Sequence, residues 1–357
     1  MKKVGILTII GNNNYGNRLQ NYAVQEVLKK LNFDVETILN NEYSNNKKFY
    51  VLRKIKRIIK NDECIENIKR YNNFKKFNNN IKFSDYKVNA YSKNKVYDYV
   101  LVGSDQVWNP YHGRLRDVDL LKFVQPKKRI AFSASFGINE IPLNYEKKCR
   151  NEFNKFKCIS VREDAGEKIV KKLTDRKDVV VLIDPTMLLN ANEWDKIAKK
   201  PDMLKNHKYI LNYFLGNLSQ ERNEEIKKVA KENNCEIINI LDKKSPYYEC
   251  GPSEFLYLEK NAFLVCTDSF HSSVFAILFN TPFLVFERED AAVSMNSRIE
   301  TLLSKFKLED RKYNGKIEKR DLIANYNEAY RILEIERKKA NDFLIKGLDK
   351  KENDNNE

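Results

Sequence analysis

The chain has 357 residues, of which 42% are hydrophobic, 11% aromatic and 32% charged. This is enough apolar material for packed cores and excludes global disorder, while the length exceeds the roughly 100 to 200 residues of a usual single domain, so two domains are expected. A net charge of +15 favours anionic partners but does not choose among phosphorylated metabolites, acidic glycans, anionic membranes and nucleic acid, and a solvated lysine-rich surface accounts for it equally well.

Val4 to Ile10 is an almost continuous apolar run, the pattern of a parallel strand buried on both faces. The polar Asn12, Asn13 and Asn14 that follow leave no small-residue cleavage site, so a strand explains the run better than a signal peptide does. Leu19, Ala23, Val27 and Leu31 then recur at helical spacing, and Phe33 to Leu39 restarts an extended pattern, completing a βαβ unit. From Glu42 to Asn94 the chain is rich in Lys and Asn. There Val51, Leu52, Ile55, Ile58 and Ile59 form a stripe among Lys54, Lys56, Arg57 and Lys60, which predicts a basic helical insertion near 42–94 with lower order around Asn78 to Asn80. Such a helix packs on its own domain or lies on an anionic membrane surface.

Strand patterns return at Tyr97 to Val102, Ile130 to Ser135, Cys158 to Val161 and Val179 to Ile183. A second series follows at Tyr209 to Leu215, Cys235 to Ile240, Phe263 to Thr267 and Phe283 to Phe286. The expected fold class is therefore α/β, with a Rossmann-like domain over 1–184, a second over 185–320, a terminal helix over 321–349 and a disordered polar tail over 350–357. The six cysteines lack the spacing of a zinc or redox motif and are expected to be free thiols in a reducing compartment, and no apolar run has the length of a membrane span. A cytoplasmic protein is expected.

Ligands of an open parallel sheet bind beyond the carboxyl ends of its strands, so the polar residues that follow apolar runs are the candidates. The first such loop contains Gly11, Asn12, Asn13, Asn14, Tyr15, Gly16, Asn17 and Arg18. It matches neither the dinucleotide fingerprint nor the P-loop, but its carboxamides and the helix amides behind it suit a phosphate, a carboxylate or a sugar hydroxyl; a plain loop and cap is the alternative. The second runs from Gly103 through Ser104 and Asp105 to Trp108 and Asn109, and reads as a helix cap or as a carboxylate beside an aromatic for gripping a sugar. In the third, Arg162 ends a buried strand, where a guanidinium binds an anion bidentately or pairs with Glu163 or Asp164. In the fourth, Asp268 and Ser269 supply an N-cap between the strand ending at Thr267 and the apolar helix Phe270 to Phe279. His271, one of three histidines, then lies in the first turn beside exposed backbone donors, where proton transfer and anion binding can be combined. No set of metal ligands stands out, and no metal or cofactor is expected.

Taken in order from about Val4 to Phe306, with Gly251 Pro252 Ser253 Glu254 Phe255 before the fourth segment and Asn296 Ser297 Arg298 Ile299 after it, these segments resemble the polysaccharide pyruvyl transferase family. The resemblance implies a glycosyltransferase-B-like pair of Rossmann-like domains facing a cleft. It also implies transfer of a pyruvyl group from phosphoenolpyruvate to a sugar of a cell-surface glycan precursor, as a ketal. By that pattern His271 corresponds to the catalytic histidine, Arg162 to a phosphoenolpyruvate-binding arginine and Asn14 to Asn17 to the amino-terminal ligand loop. Asp105 is the candidate for assisting deprotonation of the sugar hydroxyl, and Ser104, Arg18, Asp268, Ser269 and Ser272 complete the expected site. One position departs from the pattern: several members carry Arg where this chain has Ser269, so either Arg18, Arg288 or Arg298 replaces that cation or the donor differs. The expected partners are phosphoenolpyruvate and a sugar acceptor, soluble or lipid-linked, with peripheral contact at the inner face of an anionic membrane and no nucleic acid. A nucleotide-sugar glycosyltransferase of the same fold and a non-catalytic basic binding protein are the alternatives.

Overall fold

The computed structural model describes residues 1–40, 64–89, 91–288 and 297–350. The chain divides into two compact units. As far as they are described, one consists of Met1–Asn61, Asn78–Leu188 and Glu334–Glu357, the other of Asp62–Phe77 and Leu189–Leu333.

The first unit is built on strands β1 (Lys3–Leu7), β2 (Asp34–Asn40), β3 (Phe83–Val88), β4 (Tyr99–Val102), β5 (Arg129–Ala134), β6 (Cys158–Val161) and β7 (Val180–Val181). They form one sheet in the order β3-β2-β1-β4-β5-β6-β7, and every pairing is parallel. The chain leaves β1 toward one edge of the sheet and returns to build β4 on its other side. The β1/β4 boundary is thus the topological switch point, where the loops diverge and leave a crevice beyond the strands' carboxyl ends.

Helix α1 (Tyr15–Lys30) starts beside that crevice because the side chain of Asn14 caps it, accepting the Asn17 amide at 3.2 Å. Leu19, Ala23, Val27 and Leu28 are buried along it, and Lys29 and Lys30 complement the dipole at its end. Between β2 and β3 the chain supplies α2 (Cys64–Phe77), which belongs to the other unit. Helices α3 (Leu143–Phe153) and α4 (Asp164–Leu173) follow β5 and β6. Trp108, which has no exposed surface, centres the core, with ring centroids 5.3 Å from Phe136, 4.8 Å from Phe153 and 5.8 Å from Phe156.

The second unit has strands β8 (Tyr209–Tyr213), β9 (Glu236–Asn239), β10 (Leu264–Thr267) and β11 (Phe283–Val285), again all parallel, in the order β11-β10-β8-β9. Its switch point lies between β8 and β10. Helices α5 (Ala191–Asp195), α6 (Gln220–Glu232), α7 (Pro252–Asn261), α8 (Phe270–Leu278) and α9 (Ser297–Phe306) complete it, and Trp194 packs edge-on against Phe275 at 5.0 Å. Within this unit Arg70 of α2 donates to the Tyr248 carbonyl at 2.8 Å, and Asn73 donates to the Glu249 carbonyl at 2.7 Å. The last helix, α10 (Asn327–Gly347), divides between the units near Glu334.

The eight strands expected at Tyr97 and beyond all form, most of them trimmed by a residue or more at one end or both. The purely helical reading of 42–94 needs correction, since Phe83–Val88 is an edge strand. An edge strand is paired on one side only, and this one, Phe-Ser-Asp-Tyr-Lys-Val, mixes apolar and polar residues without strict alternation, so its signal is faint. Asn78–Asn80, expected to be less ordered, forms a 3-10 turn in which Asn78 donates to Asn12 at 3.0 Å. The terminal helix begins at Asn327 rather than near Asp321, after a separate 3-10 turn at Lys319–Leu322. The stripe between Val51 and Lys60, Asn296 and residues 351–357 lie outside the described residues. Cys149, Cys158, Cys235, Cys250 and Cys266 are free thiols, and among the described residues no helix is long and apolar enough to cross a membrane.

Truncating Trp108 removes the ring on which three aromatics converge. Trp108→Ala is expected to cost about 3–5 kcal/mol of unfolding free energy, whereas Tyr111→Ala, at a side chain 65% exposed, should stay within about 0.5 kcal/mol. Denaturant melts of the two variants check this.

Candidate functional site

At the switch point of the first sheet, the loops after β1 and β4 are tied together before any ligand is considered. Gln20 of α1 donates to Thr8 Oγ1 at 2.7 Å and accepts the Ser104 amide at 3.1 Å, while the Thr8 hydroxyl donates to the Ser104 carbonyl at 3.1 Å. Gly103 makes the turn possible: its φ is +122°, and a Cβ there would run into the Phe132 carbonyl oxygen. The chain then brings Ser104 and Asp105 beneath the first turn of α1.

Asn17 Nδ2 donates to Asp105 Oδ2, and Arg162 Nη2 donates to Asp105 Oδ1 at 3.2 Å. The other end of the guanidinium, Nη1, donates to Asp184 Oδ2 at 2.6 Å. Asp184 is itself held by the Thr186 hydroxyl at 2.7 Å and the Thr186 amide at 3.0 Å, and it shares the Ser104 hydroxyl proton, at 3.0 Å, with the Ser133 carbonyl at 2.9 Å. The candidates Asn17, Ser104, Asp105 and Arg162 thus form one buried network. The carboxylates that Arg162 bridges in it come from 57 and 22 positions away rather than from the adjacent Glu163 and Asp164. Glu163 instead accepts the Ser135 hydroxyl and the Phe136 and Gly137 amides, fixing the loop after β5. Burial works against the charge of Arg162, but Asp184 and then Asp105 more than offset it, and its pKa lies above the ordinary arginine value.

Arg18, on the same turn of α1 as Asn17, is in the opposite situation. It has no exposed surface, and among the described residues its one hydrogen bond runs from Nη2 to the Ile9 carbonyl at 2.6 Å. Nε and Nη1 are buried without a hydrogen-bond partner there. Burial alone pushes its pKa down to about 10, with no carboxylate among the described residues to offset it. Asn14 is occupied as the cap of α1, and Tyr15 and Gly16 are buried in its first turn.

In the second unit the fourth candidate segment falls at that sheet's own switch point. Thr267 closes β10 by donating to the Tyr213 carbonyl at the end of β8, at 2.7 Å, and accepts the Ser269 amide at 3.0 Å. Asp268 does not cap α8. It takes the Leu215 amide at 2.7 Å, the Gly216 amide at 2.8 Å and Arg288 Nε at 3.0 Å, and so shapes the loop after β8. Ser269 is the N-cap residue by backbone conformation, without a side-chain cap bond, and its carbonyl accepts the Ser273 hydroxyl at 3.1 Å. His271 follows in the first turn, 6% exposed, with its ring edge-on to Phe270 at 5.3 Å. Ser272 donates to Glu259 of α7 at 2.5 Å. Among the cations that could stand in for the missing arginine at 269, Arg288 is ion-paired with Asp268 and Arg298 is buried on α9.

Sequence reasoning missed Asp184, Thr186, Gln20 and Glu259. Asp184 has a signal, since it directly follows the apolar run Val179 to Ile183, but the same position also marks the end of the first expected domain. Glu259 had none, because a glutamate in an amphipathic helix normally faces water.

A family model described as polysaccharide pyruvyl transferase matches residues 14–290, well over half of the chain. No curated protein matches the sequence. Solved structures similar to it include UDP-GlcNAc 2-epimerase from Neisseria meningitidis, 12% identical over 98% of this chain and 100% of that one with a TM-score of 0.49. The enzyme of the same name from Methanocaldococcus jannaschii is 16% identical over 94% of this chain and 99% of that one, with a TM-score of 0.44.

Glu259 has no exposed surface, and burial outweighs its hydrogen bond from Ser272, so its pKa is raised well above the ordinary carboxyl range. The folded state keeps this proton at pH values where the unfolded state has already released it, so stability is lost as pH rises from the unfolded value toward the folded one. Glu259→Gln is therefore expected to melt at a higher temperature than the parent at pH 7, with the gap closing by about pH 4. Melting curves across that range test the sign.

Proposed function

This chain belongs to the polysaccharide pyruvyl transferase family, and on that premise we propose that it transfers a pyruvyl group from phosphoenolpyruvate to a sugar of a cell-surface glycan precursor, closing a cyclic ketal. The observation that supports this best is positional. The candidate residues after β1 and β4 stand at the switch point of the first sheet, and His271 opens the helix after β10 at the switch point of the second. Doubly wound sheets bind ligands at such points.

In the proposed reaction His271, as an imidazolium, gives a proton to the methylene carbon of phosphoenolpyruvate, making the neighbouring carbon electrophilic. A sugar hydroxyl attacks that carbon, and its proton passes to a base. The C–O bond to phosphate then breaks, and a second hydroxyl of the same sugar attacks in its place. Of the two hydroxyl protons released, one replaces the proton given by the histidine and the other leaves with phosphate. Donors at the amino-terminal turn of α8 around Ser269 and Ser272 would stabilise the charge that develops. The acceptor, soluble or lipid-linked, would be met on the cytoplasmic side of a membrane whose anionic surface suits a chain of net charge +15.

Removing a proton-transfer group typically lowers a rate about 10²- to 10⁴-fold. His271→Ala is expected to lose at least about a hundredfold in phosphate release from phosphoenolpyruvate in the presence of glycan acceptors, with donor binding retained. A variant that makes pyruvylated product as fast as the parent would show that the histidine has been misassigned. Calorimetric titration with phosphoenolpyruvate and with UDP-GlcNAc tests the donor class: affinity for the nucleotide sugar alone would replace this reading with glycosyl transfer.

A further inference from the structure

The two arginines near the first switch point have opposite electrostatic situations. Arg162, the residue expected to bind the donor, already spans two buried carboxylates. Its two terminal nitrogens are therefore already committed to Asp105 and Asp184 before any anion arrives. Arg18 is as deeply buried, yet among the described residues only one of its three nitrogens is hydrogen-bonded, and that one to a neutral carbonyl. A charge buried without a counter-charge is costly, and proteins retain one where a ligand or a reaction uses it.

We propose that Arg18 is the anion-binding cation of the first unit, taking a phosphate-class oxyanion at the amino end of α1, and that Arg162 is a positioning residue that holds Asp105. Two features besides the burial of the guanidinium fit such a ligand. Helix α1 runs for sixteen residues with no acidic residue in its first turn, so its amino-terminal dipole is not neutralised locally. The guanidinium also suits a tetrahedral oxyanion: once Nη2 is released from the Ile9 carbonyl, either edge of the fork, Nε with Nη2 or Nη1 with Nη2, can hold two of its oxygens. Because Arg18 has no exposed surface and its partner Ile9 lies in the loop between β1 and α1, the anion reaches it by displacing that loop. Binding therefore exchanges a carbonyl contact for a charge-paired one.

The proposal rests on the donor reading only for the identity of the anion, which would be the phosphate of phosphoenolpyruvate or of a phosphorylated acceptor. The test uses the full chain with inorganic phosphate, phosphoenolpyruvate and, at matched ionic strength, chloride, read by melting temperature and calorimetry. Phosphate should stabilise the parent beyond chloride. Arg18→Gln should melt no lower than the parent in chloride, because it removes an uncompensated buried charge, and should bind phosphate at least about tenfold more weakly. Arg18→Lys, which keeps the charge without the fork, should show an intermediate loss and covers the case in which the glutamine variant does not fold. A parent unaffected by phosphate overturns the proposal, as does an Arg18→Gln protein that binds phosphate within about twofold of the parent. Arg18-dependent binding of phosphate without binding of phosphoenolpyruvate keeps this site and removes the donor reading. Phosphoenolpyruvate binding that survives Arg18→Gln keeps the donor reading and removes this site.

Discussion

The first unit depends on a guanidinium enclosed by two carboxylates. Arg162 reaches from the end of β6 to Asp105 behind β4 and to Asp184 behind β7, and its three-residue cluster is almost wholly excluded from water. Desolvating three charges is repaid only when each finds nearly all its hydrogen bonds. The surrounding residues meet that condition: Asn17 for one oxygen of Asp105, and Ser104 and Thr186 for Asp184. Removing the arginine would leave two buried like charges facing each other, a loss on the order of 3–5 kcal/mol. The cluster therefore fixes the carboxyl ends of three strands and the first turn of α1 as one rigid piece, which is what a site built from separate loops requires.

The second unit reaches a similar end mostly through neutral groups. Thr267 joins the ends of β10 and β8 through its hydroxyl, and Asp268 collects two amides of the loop after β8. Behind the first turn of α8, Glu259 accepts from Ser272 where burial pushes its carboxyl pKa up, and this hydrogen bond braces the turn bearing His271. Compensated charge organises the first candidate cluster, and hydroxyl and amide donors predominate in the second. The buried guanidinium of Arg18 stands apart from both, because no described residue offsets its charge.

Much of this was legible in the chain before any tertiary contact was known. Continuous apolar runs such as Val4 to Ile10 and Phe263 to Thr267 signal strands buried on both faces, and a polar residue directly behind such a run marks the end of a sheet where ligands gather. That reasoning singled out Asn17, Ser104, Asp105, Arg162 and the Asp268 to Ser272 segment as candidates, and they do lie behind strands of the two sheets. It fell short at Phe83–Val88, where an edge strand needs apolar residues on fewer faces than a central one, and at Glu259, whose burial contradicts its residue type.

By itself the sequence determined the α/β alternation, the two successive parallel sheets, the loops that follow their strands and the family to which the chain belongs, because these follow from periodicity and from residues that are neighbours along the chain. Only the tertiary structure decided which partner each charge has. Arg162 stands next to Glu163 in the chain but bridges Asp105 and Asp184, while Arg18, one residue beyond Asn17, meets no carboxylate among the described residues. Electrostatic energy falls with distance in space and rises as water is excluded, and neither quantity can be read from spacing along a chain.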